Sequence, residues 1–155
     1  MIEVLVQSKG WSDIEPRARS LARRAANAAL NREGRRGAHL AILLTDDAAV
    51  QALNARFRAK DAPTNVLSFP HSGPDRDDLG DIALGLGVCV REAAEQDKPL
   101  SHHLQHLTTH GVLHLLGYDH ESEAEAEVME ARERDILATL GIPDPYAGTA
   151  QGDHG

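Results

Sequence analysis

The chain has 155 residues, enough for one domain with a single core, and its 41% hydrophobic and 26% charged residues are typical of a folded chain. Cys89 is the only cysteine, which excludes an intrachain disulfide and a four-cysteine zinc site. The net charge of −8 argues against a protein that coats nucleic acid by bulk electrostatics, because that mode needs many Lys and Arg side chains.

The first 44 residues predict a strand, a helix and a second strand. Residues 2–6 are rich in β-branched side chains and indicate a strand, with a turn after it at Gly10. Residues 16–30 carry alanine and leucine near helical spacing and predict a helix. Residues 38–44 form a short, nearly continuous apolar run, which is typical of a strand that is covered on both faces and lies centrally in its sheet.

A second helix is predicted to follow, because residues 45–47 are Thr, Asp and Asp, whose oxygens cap helix N-termini. Its inward row is predicted to consist of Val50, Leu53 and Phe57. The helix ends at Arg58.

The rest of the chain predicts two more strands and three more helices. They are a strand at 66–69, a strand at 79–86, a helix at 88–97, a helix at 100–116, and a last helix that the capping-box pair Ser122 and Glu125 opens. We therefore expect a single α/β (α+β) domain at residues 1–146, with a mixed, mostly four-stranded sheet and about five helices. Residues 147–155 are expected to form a flexible tail. The pattern leaves the strand order open.

Three histidines near the C-terminus have the spacing of a metal site. His110 and His114 are four residues apart and so lie on one face of the predicted helix. Gly117 can end that helix with a positive φ and turn the chain back, so that His120 closes the site. Three imidazoles leave one position open on a tetrahedral zinc ion, which is the arrangement of catalytic zinc. The alternative is that these are ordinary helix and loop histidines without a metal.

The same spacing occurs in metzincin proteases, where a Glu follows the first histidine and acts as the general base. Here that residue is Gly111, which cannot accept a proton.

Among nearby histidines, His106 is a competing ligand because it lies four residues before His110. We expect it, with His102 and His103, to be a solvated residue early in the helix. Asp119 is expected either to orient an imidazole or to cap the turn.

Three segments resemble the YbeY-type endoribonucleases, also described as ribosomal RNA maturation factors. The histidine segment at residues 110–120 has Gly after the first His and Gly-Tyr-Asp before the last. The other two segments are residues 53–70 and residues 79–82. The resemblance spans most of the chain, and these three segments are its densest parts.

The resemblance implies a single-domain mixed α/β fold, one Zn²⁺ ion on His110, His114 and His120, and endonucleolytic cleavage of single-stranded RNA. It implies a role in ribosomal RNA processing, at the 3′ end of 16S rRNA, and in ribosome quality control. It implies as partners the small ribosomal subunit, with a ribosomal protein and an assembly GTPase. It also implies that Arg58 is functional, and a guanidinium can hold two phosphate oxygens and offset the charge that builds up during cleavage. Position alone would make Arg58 a solvated cation at a helix end.

Two other functions compete with RNA cleavage. A metzincin-like metal hydrolase or protease shares the histidine spacing but lacks the Glu base. A non-catalytic ribosome-assembly factor would use the metal only to join the last two helices.

The hydropathy and the charge distribution of the sequence predict where the protein is located and which part of it faces RNA. No apolar run approaches the ~18 residues of a membrane span, and the first residues lack the pattern of a secretory signal. We therefore expect a cytoplasmic protein with no membrane partner. Residues 1–60 carry 11 Lys and Arg against 6 acids, and residues 61–155 carry 5 against 18. The basic first part is thus a candidate face for RNA.

Overall fold

Four strands and six helices make up residues 1–147, the part of the chain that the computed structural model describes. The strands are β1 (Ile2–Val6), β2 (His39–Thr45), β3 (Val66–Pro70) and β4 (Asp78–Gly85). The helices are α1 (Lys9–Ile14), α2 (Ala18–Arg32), α3 (Asp47–Arg58), α4 (Leu86–Glu95), α5 (Leu100–Leu115) and α6 (Glu123–Thr139). The tail predicted at residues 147–155 lies outside the described residues, apart from Ala147.

The strands form one mixed sheet in the order β1-β2-β4-β3. β1 is parallel to β2 and β2 to β4, whereas β3 is antiparallel to β4. Parallel neighbours need a crossover, which α1 and α2 provide between β1 and β2, whereas β3 and β4 are joined by a short loop. The predicted mixed sheet of four strands is confirmed, as is the central position of β2. The order also leaves β3 at an edge.

Helices cover both faces of the sheet, and the strands contribute to a core on each face because their successive side chains point to opposite faces. The larger core lies between the sheet and helices α2, α5 and α6, and includes Ile42 of β2 and Leu104 of α5, neither of which is exposed. The smaller core lies under α3 and consists of Val50, Leu67 and Ala83. Helix α5, which carries the histidine pair, is thus held by the larger core.

The chain is helical at Gly10, where a turn was predicted. Helix α1 carries Trp11, which is fully buried and whose Nε1 donates a hydrogen bond to the Thr45 carbonyl at 2.9 Å. A Cβ atom at Gly10 would lie 2.6 Å from Cδ2 of Leu86, so this short helix packs closely against the start of α4. The structure therefore has six helices where about five were predicted, because tertiary packing holds a segment that is too short to be stable as an isolated helix.

The predicted inward position of Phe57 is wrong. Val50 is fully buried and Leu53 is half-buried, but Phe57 is 58% exposed. The small core under α3 is filled by residues from the first turns of the helix, so the last turn has nothing apolar left to cover except Phe69 of β3.

Candidate metal centre

Helix α5 and the turn after it bring His110, His114 and His120 together. One ring nitrogen of each lies within 4.8 Å of the other two. The Nε2 atoms of His110 and His114 are 3.1 Å apart. The ring centroid of His120 is 5.6 Å from that of His110 and 5.0 Å from that of His114. Three ring nitrogens at these separations could hold one metal ion.

The turn that returns His120 depends on Gly117. Its φ is +103°, a conformation that L side chains rarely adopt. The Gly117 amide donates to the His114 carbonyl at 3.0 Å, and the Tyr118 amide donates to the Leu113 carbonyl at 3.0 Å, which ends α5. Asp119 caps the turn, because its Oδ1 accepts a hydrogen bond from the His120 amide at 2.7 Å. This outcome favours the capping role over the orienting role for Asp119.

Hydrogen bonds at the outer ring nitrogens fix how the two helical imidazoles are oriented. His110 Nδ1 lies 2.8 Å from Glu133 Oε2, and His114 Nδ1 lies 3.0 Å from the Tyr118 carbonyl oxygen. A carboxylate and a carbonyl can only accept, so each Nδ1 carries a proton, and in the corresponding neutral tautomer the lone pair is at Nε2. The two lone pairs then face each other, and this donor set fits a cation placed between them.

The surroundings also favour the neutral form of His114. Burial lowers its pKa from the ordinary value of 6.5, and nearby His110 and His120 lower it further. Only neutral imidazole can ligate a metal, so the lowered pKa keeps this ring competent to bind one at neutral pH.

Glu133 of α6 is a functional candidate that the sequence analysis missed. It is fully buried, and its Oε1 accepts hydrogen bonds from His106 Nε2 and from the Tyr146 hydroxyl, both at 2.6 Å. Burial raises the pKa of Glu133, but the hydrogen bonds from His106 and His110 outweigh it and lower the pKa to about 2. The sequence does contain a clue to this role. Glu133 lies on the same face of the last helix as Met129 and Ile136, which are also buried, and an acid on an apolar helix face needs a partner.

His103 and His106 of α5 are not solvated as predicted, whereas His102 is partly exposed. His103 is only 3% exposed, and its Nε2 lies 2.9 Å from Glu92 Oε1. His106 is directed towards Glu133, so within residues 1–147 it does not belong to the cluster that could hold a metal. Each side chain forms a hydrogen bond with a carboxylate, His103 with the half-buried Glu92 and His106 with the buried Glu133, which compensates for the loss of water around the two imidazoles.

Within residues 1–147, Arg58 is not part of the histidine cluster, and it is linked to α5 only through β3. Its Nη2 donates a hydrogen bond to the Ser68 carbonyl of β3. The Ser68 hydroxyl in turn donates to the Gly111 carbonyl at 3.2 Å, next to His110. The exposed guanidinium is therefore tied to the edge strand that packs against α5.

Gly111 packs against the sheet. A Cβ atom there would lie 3.0 Å from Cγ2 of Ile82, which is fully buried in β4. A side chain such as the Glu that metzincins have at this position would require Ile82 to move by a few tenths of an ångström.

Comparison with known proteins agrees with the resemblance seen in the sequence. The sequence model of a family described as endoribonuclease YbeY matches residues 5–141. A protein named endoribonuclease YbeY from Bradyrhizobium sp. strain BTAi1 is 52% identical over 155 residues, covering 94% of this chain and 91% of its own length. A protein of the same name from Rhodopseudomonas palustris strain BisB18 is 51% identical, with the same coverage.

Among solved structures, the chain is similar to the solution structure of TM1509 from Thermotoga maritima. The TM-score is 0.55 and the sequence identity is 26%, over 90% of this chain and 91% of that one. In residues 1–147, no helix is both long enough and apolar enough to cross a membrane.

Proposed function

Because this chain belongs to the endoribonuclease YbeY family, which matches it over residues 5–141, we propose that it is a zinc-dependent endoribonuclease specific for single-stranded RNA. Its proposed role is ribosomal RNA processing, at the 3′ end of 16S rRNA, and ribosome quality control. The proposed partners are the small ribosomal subunit, a ribosomal protein and an assembly GTPase. The proposed enzyme is one cytoplasmic domain at residues 1–146.

One observation carries the proposal of a metal. His110, His114 and His120 converge, and hydrogen bonds to Glu133 and the Tyr118 carbonyl direct two Nε2 lone pairs towards each other, 3.1 Å apart. We assign the three histidines as the ligands of one Zn²⁺ ion, since imidazole nitrogen is a favoured zinc ligand. When bound, zinc would supply Lewis acidity towards a phosphate oxygen and lower the pKa of water, so the cleavage proposed here is hydrolysis.

The chain's own contribution to cleavage is to hold the RNA and to neutralise charge. Arg58 is assigned to the scissile phosphate, because its planar guanidinium can donate two parallel hydrogen bonds to phosphate oxygens. The bond from Arg58 to the Ser68 carbonyl supports this role, since it holds the guanidinium at the strand that contacts α5 beside His110. No side-chain base is assigned.

The test compares wild-type protein with Arg58→Ala, both loaded with zinc, on single-stranded RNA. We expect Arg58→Ala to melt at the wild-type temperature and to lose about 10²-fold or more in kcat, because charge stabilisation in the transition state is lost. Arg76→Ala, which removes another exposed arginine, is the matched control and should cleave normally.

Three outcomes would contradict parts of the proposal. Wild-type activity in Arg58→Ala would remove Arg58 from the site. Cleavage of casein but not of RNA would favour the protease alternative. A 2′,3′-cyclic phosphate at the product ends would show attack by the 2′-hydroxyl of the RNA instead of hydrolysis by water.

A further inference from the structure

The two phenylalanines of the chain lie side by side at the surface. Phe57 lies in the last turn of α3 and Phe69 lies in β3, and their ring centroids are 5.4 Å apart in an edge-to-face arrangement. Phe57 is 58% exposed, although only 3% of the chain is aromatic and its one Trp is fully buried. A large exposed aromatic ring costs solvation free energy, so such a site is a candidate for contact with a partner.

Cations flank both rings. Arg56 Cζ lies 5.1 Å from the centroid of Phe57, and Arg58 Cζ lies 5.9 Å from the centroid of Phe69. Within residues 1–147, neither Arg56, Arg58 nor Lys60 forms an ion pair. We call Arg56, Phe57, Arg58 and Phe69 the Phe57 surface. It is a positively charged, aromatic surface on a chain whose net charge is −8.

The Phe57 surface is connected to the candidate metal centre. Arg58 donates to the Ser68 carbonyl, and the Ser68 hydroxyl donates to the Gly111 carbonyl, which follows His110 in α5. Two hydrogen bonds thus link Arg58, which flanks the Phe69 ring, through Ser68 to the helix that carries the histidines. Because β3 is an edge strand, an extended ligand can pass around it from the Phe57 surface to α5.

We propose that Phe57 stacks on a base of single-stranded RNA and so positions the strand that is cleaved at the metal centre. Sequence-tolerant binding of single strands combines aromatic rings that stack on bases with cations that contact the backbone. Arg56 and Arg58 supply those cations on either side of the rings. A protein partner fits less well, because a stable protein interface needs about 800 Å² of surface on each side, and this surface presents one strongly exposed ring. The proposal rests on the proposed function, since it names how the same site holds its substrate.

The experiment measures binding of a dye-labelled single-stranded uridine oligomer to the full-length protein by fluorescence anisotropy, in chelator to prevent cleavage. We expect Phe57→Leu, which keeps an apolar side chain but has no ring face, to bind about tenfold more weakly. Phe57→Trp should bind at least as tightly as wild type. Ile14→Ala, which shortens another exposed apolar side chain, is the matched control and should bind as wild type does.

A second ligand separates stacking from charge. An oligomer of the same length with abasic residues keeps the phosphates but offers no base to stack on. It should bind wild type and Phe57→Leu equally, and more weakly than the uridine oligomer binds wild type. With zinc-loaded protein, Phe57→Leu should raise KM for single-stranded RNA and leave kcat nearly unchanged.

The proposal is overturned if Phe57→Leu binds the uridine oligomer as tightly as wild type, or if wild type binds the abasic oligomer equally well. These results are independent of catalysis. A wild-type protein that binds through Phe57 but does not cleave RNA would reject the proposed function and leave the stacking contact supported. A wild-type protein that cleaves RNA while Phe57→Leu binds normally would reject the stacking contact alone.

Discussion

Glu133 shows how a single buried residue prepares the candidate metal centre. An isolated carboxylate is costly to bury, and this one is stabilised by hydrogen bonds from His106, His110 and Tyr146. The hydrogen bond between Glu133 and His110 keeps the proton of that imidazole on Nδ1, so that Nε2 is free to bind a metal ion. A carboxylate behind a ligating histidine also raises the basicity of that histidine.

We therefore expect Glu133→Gln to weaken zinc binding by about 10- to 100-fold, because an amide orients and polarises His110 less well. Competition with a chromophoric chelator measures the affinity without reference to activity. Glu127→Gln, an exposed change on the same helix, is the control and should bind zinc as wild type does. An unchanged affinity in Glu133→Gln would mean that its role is confined to packing.

A second carboxylate, the half-buried Glu92, is expected to affect the acid stability of the protein. The hydrogen bond from His103 is the largest cause that lowers the pKa of Glu92 below its ordinary value of 4.5; burial opposes it, and Asn65 adds a further hydrogen bond. The unfolded chain binds this proton near pH 4.5 and the folded chain only at lower pH. The stabilising contribution is therefore present above pH 4.5 and is lost as the pH falls through the folded pKa.

Urea unfolding between pH 3 and pH 7 tests whether the stabilising contribution of Glu92 is lost as the pH falls. Glu92→Gln should lower the free energy of unfolding at neutral pH and make it fall less steeply below pH 4.5. The exposed Glu95→Gln change on the same helix should keep the wild-type slope. A steeper acid slope in Glu92→Gln would contradict the assignment.

At the scale of elements, the turn between α5 and α6 determines whether the third histidine reaches the other two. Gly117 ends α5, and the capping box of Ser122 and Glu125 begins α6. The turn is also anchored to the residue that follows α2, because the Tyr118 hydroxyl donates a hydrogen bond to Glu33 Oε1 at 2.6 Å. These contacts fix the chain on both sides of His120.

Gly117→Ala should destabilise the protein by about 1–3 kcal/mol, because a Cβ strains a residue with φ of +103°. There is open space around this position, so backbone strain is the only cause. Urea unfolding measures the change, and zinc affinity should fall with it as His120 is displaced. Gly37→Ala also has open space but no positive φ, so it should change stability much less. Equal effects from the two substitutions would rule out strain at Gly117.

At the scale of the whole molecule, a metal ion would join parts of the chain that are separate in the unfolded state. His110 and His114 lie on α5, His120 follows the turn, and Glu133 links the site to α6. A ligand that binds only the folded state stabilises that state by mass action. The metal centre should therefore contribute to folding as well as to chemistry.

Free zinc at 100 times its Kd should stabilise the protein by about 2.7 kcal/mol. For a chain of this length, that corresponds to a rise in Tm of roughly 5–10 °C. Calorimetry with zinc and with a chelator measures the shift, and His120→Ala should lose most of it. A wild-type Tm that does not respond to zinc would contradict a metal centre at these histidines.

Local patterns in the sequence were sufficient to predict much of this protein. The apolar run of β2, the Asp46 cap of α3 and the capping box of α6 each depend on neighbours within a few residues, so their structure followed from composition and spacing. The spacing of His110, His114 and His120 was sufficient for the same reason, since a helix and one glycine turn bring them together.

Long-range contacts decided the rest. The strand order depends on which strands pair across the chain, and α1 is held through Trp11 by a carbonyl 34 residues away. Glu133 meets His110 from a different helix, and Phe57 is exposed because other residues had already filled the small core under α3. Sequence spacing encodes neighbours along one helix or turn, whereas burial and partner choice depend on which segments pack together.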